Sequence, residues 1–245
     1  MKLTFGGLWR HPDFVRLWAG ETISIFGSLV GRTALPFTAI LVLGAGPLDI
    51  AALSVAELAP ALLLGPAIGV WVDRLRRRPI LIASDIGRFA LLATIPAAHL
   101  LDTLTMAHLY AVAFLVGILT MCFDVAYLSY LPSLVKKEDL LEGNSKLAAS
   151  SSVAEVGGFS ASGWLVQLVT GPVTIFIDAV SFLFSAAAVA AIRTPEPPPA
   201  PVHERQSIRR EFSEGVRFLL REPILRALAA ASVTLEMSWR MFGAV

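Results

Sequence analysis

Cysteine is almost missing from this chain: Cys122 is the only one, and it lies inside an apolar run. A lone cysteine there excludes a disulfide framework and a cysteine metal site, and it reads as a small buried hydrophobe. Histidine is scarce too. The four present sit in connections or at the ends of apolar runs, with neither His/Glu metal spacing nor a Cys/His pair. No glycine-rich phosphate loop appears, so no enzymatic chemistry is supported and nothing points to nucleic acid. Charge is the third shortage. Only 16% of the 245 residues are charged and 56% are hydrophobic, whereas soluble domains run near about 25% charged. That leaves too little polar surface to cover a soluble globule. Lys2 and Arg10 precede an apolar run too long for a signal-peptide core and without a cleavage site.

In place of charge the chain has repeated apolar runs of about 20 residues, the length that crosses a bilayer. The composition predicts an all-α polytopic membrane protein whose first partner is the lipid bilayer. Six spans are predicted, near Leu17–Leu43, Ile50–Val72, Ile80–Leu101, Leu109–Leu131, Leu147–Val169 and Val173–Ile192. Residues 1–192 then form a six-helix bundle. Residues 193–206 are a Pro-rich spacer. Residues 207–222 place Ile208, Phe212, Val216, Leu219 and Leu220 at helical spacing among arginines, as a surface helix lying on the membrane does. Residues 223–245 begin a seventh apolar run.

Orientation follows from the basic residues. The head, the second-to-third and fourth-to-fifth connections and the segment after span six hold most of the twenty Lys and Arg, and the three intervening turns hold none. The positive-inside rule then puts the N-terminus in the cytoplasm of a multi-pass protein of the cell (plasma or inner) membrane.

Charges inside spans are expensive and mark pathways or structural pairs. Eight occur: Glu21, Arg32, Glu57, Asp85, Arg88, Asp124, Glu155 and Asp178. Glu21 and Arg32 share one face of span one, about 16 Å apart along the axis. Asp85 and Arg88 are spaced to pair on one helix. Arg32 reads as the midplane cation, with Asp124 and Glu155 its favoured partners, so Arg32, Asp124, Glu155 and Glu21 form the predicted substrate or proton pathway. In span five Ser150, Ala154, Gly158 and Ser162 recur every four residues, a stripe that lets another helix approach closely; Gly157 and Gly163 add points of bend.

The stretch Gly69-x-x-x-Asp73-Arg74-x-x-Arg77-Arg78 sits between spans two and three. It resembles the signature loop G-x-x-x-D-R-x-G-R-R of the major facilitator superfamily, with Arg76 where a glycine is common. Leu131-Pro132, Leu134-Val135, Asn144 and the run Gly171…Phe176-x-x-Asp178-Ala179-x-Ser181-Phe182 are similar to the efflux branch containing enterobactin and macrolide exporters. The span-five antiporter motif is matched in part: Gly158 and Gly163 align, while Phe159 and Ser162 replace a proline and a glycine. The resemblance implies the six-helix N-terminal half of a major-facilitator fold, made of two inverted three-helix repeats, plus the start of a seventh span. It implies a gate in which Asp73 caps a helix of the missing C-terminal six-helix half, while Arg74, Arg77 and Arg78 build a charge network. Arg77 is expected to reach Asp124.

The expected function is secondary active, proton-driven export of small amphipathic molecules of drug or siderophore type by alternating access. No cofactor is expected beyond the proton motive force. A same-fold facilitator or lipid flippase without proton coupling is the alternative, as is a non-transporting truncated fragment.

Overall fold

The computed structural model describes residues 7–196, 217, 221–228, 230–231 and 234–235; within it the side chains at 62, 66, 159–162 and 166–167 are left aside. Six long helices follow one another: α1 (Pro12–Leu43), α2 (Pro47–Asp73), α3 (Arg77–Leu100), α4 (Met106–Leu134), α5 (Leu140–Val169) and α6 (Gly171–Ala190). Their ends are written in local chemistry. His11 accepts the Phe14 N–H through Nδ1 at 3.2 Å, and Pro12 takes the first helical position of α1. Gly44 ends α1 in the left-handed region (φ 66°). Its N–H bonds to Ile40 O at 3.1 Å and the Ala45 N–H to Ala39 O at 3.0 Å, a Schellman ending that glycine adopts without strain. Pro47 then opens α2, and Asp49 accepts the Gly46 N–H at 2.9 Å. Thr105 caps α4.

Over the described residues, five helices are long and apolar enough to cross a membrane: α1, α2 over Pro47–Gly65, α3, α4 and α6. The serine-rich α5, with Glu155 inside it, is not among them. It also begins at Leu140 rather than Leu147, because the short turn Lys137–Asp139 leads straight into it.

The helices pack as a row, α5–α1–α6–α3–α4–α2. Exchanging α1 with α4, α2 with α5 and α3 with α6 maps this set of neighbours onto itself. Two apolar layers fill the row. One, at the end bearing the α2–α3 loop, includes Phe14, Leu17, Val72, Leu81, Phe123 and Tyr130. The other includes Ala34, Leu53, Ile95, Leu109, Ile175 and Phe182. Small residues permit close approach. On α1, Gly20, Ser24, Gly27 and Gly31 are all buried and line one face, with Ser185, Ser181 and Asp178 of α6 against the three glycines.

At the α2–α4 contact, a methyl group on Gly117 would stand 2.9 Å from the Glu57 carbonyl oxygen and 3.0 Å from Pro60 Cγ. Backbone must move to admit it. We expect Gly117→Ala to cost about 1–3 kcal/mol and to lower the thermal unfolding midpoint in detergent. Gly69→Ala, whose added methyl meets nothing within 4 Å, is the matched control and should leave the midpoint unchanged.

The chain divides into two units, Met1–Pro199 and Ala200–Val245. In the second, 223–228 is helical and Arg226 N–H bonds to Glu222 O at 3.0 Å. The predicted surface helix and most of the Pro-rich spacer lie outside the described residues.

Candidate functional site

The ionisable groups collect where the two apolar layers meet, and Arg88 of α3 is at their centre. It pairs with Asp85 one turn earlier, as the spacing predicts. Both are buried, at 3% and 0% exposure. Two rings enclose the guanidinium: its carbon lies 4.4 Å from the Phe123 centroid and 4.1 Å from that of Phe182. A desolvated cation over an aromatic face is worth about 2 kcal/mol or more, which offsets part of the cost of placing an arginine here. Ser185 faces the Asp85 carboxylate without completing a hydrogen bond.

Around this pair stand three more carboxyls. Glu21 on α1 is in electrostatic reach of Arg88, Asp124 and Asp85. Asp124 on α4 feels Arg88 first and Arg32 second, and Asp178 on α6 feels the same two cations. Tyr127, one turn beyond Asp124, faces Glu21. Glu21 Oε2, Asp178 Oδ1 and the Tyr127 hydroxyl are buried and make no hydrogen bond among the described residues. Four carboxyl groups thus share two guanidiniums.

The predicted pathway residues divide on this basis. Glu21 and Asp124 belong to the cluster, Asp124 and Arg32 are exposed at its edge, and Glu155 is exposed and joined to Arg32 by no ion pair or hydrogen bond. Gly158 lies against Leu29 of α1, where an added methyl would come within 2.9 Å of Leu29 Cβ. Gly163 faces open space, and the Ser162 side chain lies outside the described residues.

The arginine loop makes a second constellation. Asp73 ends α2 and is exposed, with no hydrogen bond or ion pair among the described residues, and Arg74 is half-buried. Arg77 does not meet Asp124; its partner is Glu196, which follows α6. The Glu196 carboxylate accepts the Arg77 N–H at 2.6 Å and the Arg78 N–H at 3.2 Å, and the Arg77 guanidinium stands 3.8 Å away. A carboxylate therefore caps α3, whose own N-cap, Arg76, offers no side-chain acceptor. Arg78 reaches the last carbonyls of α6, Val189 O at 3.3 Å and Ala190 O at 2.7 Å. A cation at a helix C-terminus is favoured by the same dipole.

Asp13, ahead of the first predicted span, holds the same α6 exit from the other side. It accepts the Thr194 hydroxyl at 2.6 Å, the Thr194 N–H at 2.8 Å, the Arg193 N–H at 3.2 Å and an Arg16 N–H at 2.5 Å. The bonds from Thr194 and Arg193 tie the start of α1 to the chain leaving α6. Asp13→Ala is expected to cost about 1–3 kcal/mol, read as a lower thermal unfolding midpoint in detergent; an unchanged midpoint would contradict this.

The comparisons decide which kind of membrane protein this is. The sequence model described as Major Facilitator Superfamily matches residues 17–244. The chain belongs to that superfamily. It is 25% identical over 229 residues to the uncharacterized MFS-type transporter YfiS of Bacillus subtilis, covering 88% of this chain and 51% of that protein. It is 28% identical over 254 residues to the uncharacterized MFS-type transporter y4rN of Sinorhizobium fredii, covering 97% and 58%. It is 25% identical over 215 residues to macrolide efflux protein A of Streptococcus pyogenes, covering 88% and 53%. The chain spans about half the length of these curated relatives. The relatives it matches are named as transporters, one of them an efflux protein, and its helices are those of a multi-pass membrane protein of that superfamily.

Sequence reasoning missed three features. Arg88 was read only as the partner of Asp85, and its place between Phe123 and Phe182 has no local signature. The buried small-residue face of α1 was legible as Gly20, Ser24, Gly27 and Gly31 at helical spacing. Glu196 was absorbed into the Pro-rich spacer, where nothing in the sequence marks it as a cap for a helix more than a hundred residues earlier.

Proposed function

We propose that these residues form one six-helix unit, two inverted three-helix repeats, of a proton-driven exporter of small amphipathic molecules. The neighbour pattern that survives exchange of α1–α3 with α4–α6 supports the repeats. The half-length match to the relatives supports a second such unit completing the transporter. The positive-inside rule supports placing the arginine loop in the cytoplasm of the cell membrane.

The observation that carries the coupling is the cluster in which Glu21, Asp85, Asp124 and Asp178 outnumber Arg32 and Arg88. Two more carboxyls than guanidiniums, with Glu21 Oε2 making no hydrogen bond among the described residues, provide places to take up and release protons as the site alternates. Gly69 and Asp73 share one face of α2, and both look into open space. This supports a closing contact in which Asp73 meets a helix N-terminus of the second unit, with the Arg77 and Arg78 contacts holding the loop rigid. The name of the streptococcal relative supports an antibiotic-like cargo. The test is proton flux in proteoliposomes of the intact transporter under an imposed pH gradient. Macrolide-type amphiphiles should evoke it, and transport unchanged after the gradient is collapsed would indicate an uncoupled facilitator or flippase.

A further inference from the structure

A cavity of about 510 Å³ opens between the end of α2 and the beginning of α3, bounded by Trp71, Leu75, Arg76, Ile80, Leu119 and Cys122. It exists because α2 and α3, though consecutive, touch little and each leans on α4 instead. Its volume falls in the range of roughly 300–1,000 Å³ that holds small ligands, and its walls are almost wholly apolar. Trp71 is 48% exposed at the mouth, the kind of amphipathic ring favoured at a membrane interface. On α4, Leu119 and Cys122 lie one turn apart on one face, and Asp124 is turned about 200° from Cys122. The cavity is therefore on the opposite side of α4 from the charge cluster.

The rim is what defines the ligand. Of the loop's guanidiniums, Arg77 is engaged by Glu196 and Arg78 by the Val189 and Ala190 carbonyls. Arg76 is exposed and has no hydrogen bond or ion pair among the described residues. Asp73 is the acidic group of this connection, and four arginines outnumber it. Arg76 also stands where the signature loop commonly has glycine, so the cation at this rim is a property of this chain.

We propose that the α2–α3 fissure binds an anionic phospholipid of the leaflet at the arginine end, with its phosphate at Arg76 and one acyl chain along Trp71, Leu119 and Cys122. An apolar slot ending in an exposed guanidinium that has no partner among the described residues matches a lipid in both parts. The acyl chain removes apolar wall from water or mismatched packing, and the phosphate meets a fork of N–H donors. Near an anionic surface each arginine is worth about five-fold in binding. This site does not depend on the transport reading, because lipid occupancy is measured without substrate or a proton gradient.

The experiment is tryptophan quenching of the full chain in vesicles carrying brominated acyl chains. The Trp71 contribution is taken as the difference between wild type and Trp71→Phe. Brominated phosphatidylglycerol at a low mole fraction should quench Trp71 more than brominated phosphatidylcholine at the same fraction. Arg76→Gly should raise the phosphatidylglycerol fraction needed for half-quenching about five-fold, and Arg76→Lys should lie between. Raising the salt concentration should weaken quenching of the wild type by phosphatidylglycerol alone, a reading that needs no Arg76 variant. Equal quenching by the two lipids, an unchanged Arg76→Gly, or preference for a brominated free fatty acid over phosphatidylglycerol would each overturn the assignment.

Discussion

Arg88→Ala should be the most damaging single substitution in the bundle, with a loss of about 3–5 kcal/mol, the cost of stripping one partner from a buried ion pair. The alanine leaves Asp85, wholly buried, without its cation and takes the shared positive charge away from Glu21, Asp124 and Asp178. It also opens a void between the Phe123 and Phe182 rings, so a packing loss adds to the electrostatic one. Arg88→Lys keeps the charge but not the flat guanidinium that stacks between two rings, and should fall between alanine and wild type. The double variant Asp85→Asn/Arg88→Met tests the cause. Removing both charges while filling the space should recover more than half of the loss, because a buried pair is costly mainly when only one side is removed. Unfolding of the detergent-solubilised protein reads all three. If Arg88→Ala unfolds like wild type, the guanidinium is not the centre of the cluster.

The second large effect is expected on transport. Glu21→Gln and Asp124→Asn should each reduce proton-coupled export by about 10- to 100-fold, the scale of a coupling free energy of ~1–3 kcal/mol. Both nearly keep side-chain volume while removing the carboxyl's charge and its capacity to exchange a proton. Downhill movement of the same substrate, measured with no pH gradient, should survive. That split separates loss of coupling from loss of fold. Glu155→Gln provides the contrast, since Glu155 lies outside the cluster. An equal loss at Glu155 would move the proton pathway to α5. Full coupling after both Glu21→Gln and Asp124→Asn would remove the cluster from the mechanism.

Much of the architecture was legible residue by residue. The helix ends are set by Pro12, Gly44, Pro47 and Thr105, whose φ preferences and side-chain acceptors act within a few residues, although the apolar runs alone start these helices late, at Leu17, Ile50 and Leu109. The Asp85–Arg88 pair followed from i, i+3 spacing on one helix. The apolar runs marked five helices long and apolar enough to cross a membrane, because hydrocarbon thickness sets their length. α5 reads as a span from length and position, yet with its serines and Glu155 it is not among the helices apolar enough to cross a membrane over the described residues.

Composition and short-range spacing settle the class of protein, the approximate positions of its helices and the loop that ties it to its superfamily. All of these depend on composition and on interactions between residues less than a few turns apart. Only the tertiary structure decided which charges meet. It placed Arg88 rather than Arg32 at the centre, gave Arg77 to Glu196 rather than Asp124, and left Arg76 at the mouth of an apolar fissure. Those outcomes depend on α6 packing between α1 and α3, and on α4 separating α2 from α3. In an apolar interior a charge not paired on its own helix must find a partner on whichever helix is adjacent, and adjacency is a property of packing that no local pattern encodes. The arginine loop shows both halves of this: its residues name the family, but which of them are engaged and which is left to meet a ligand was settled by the fold.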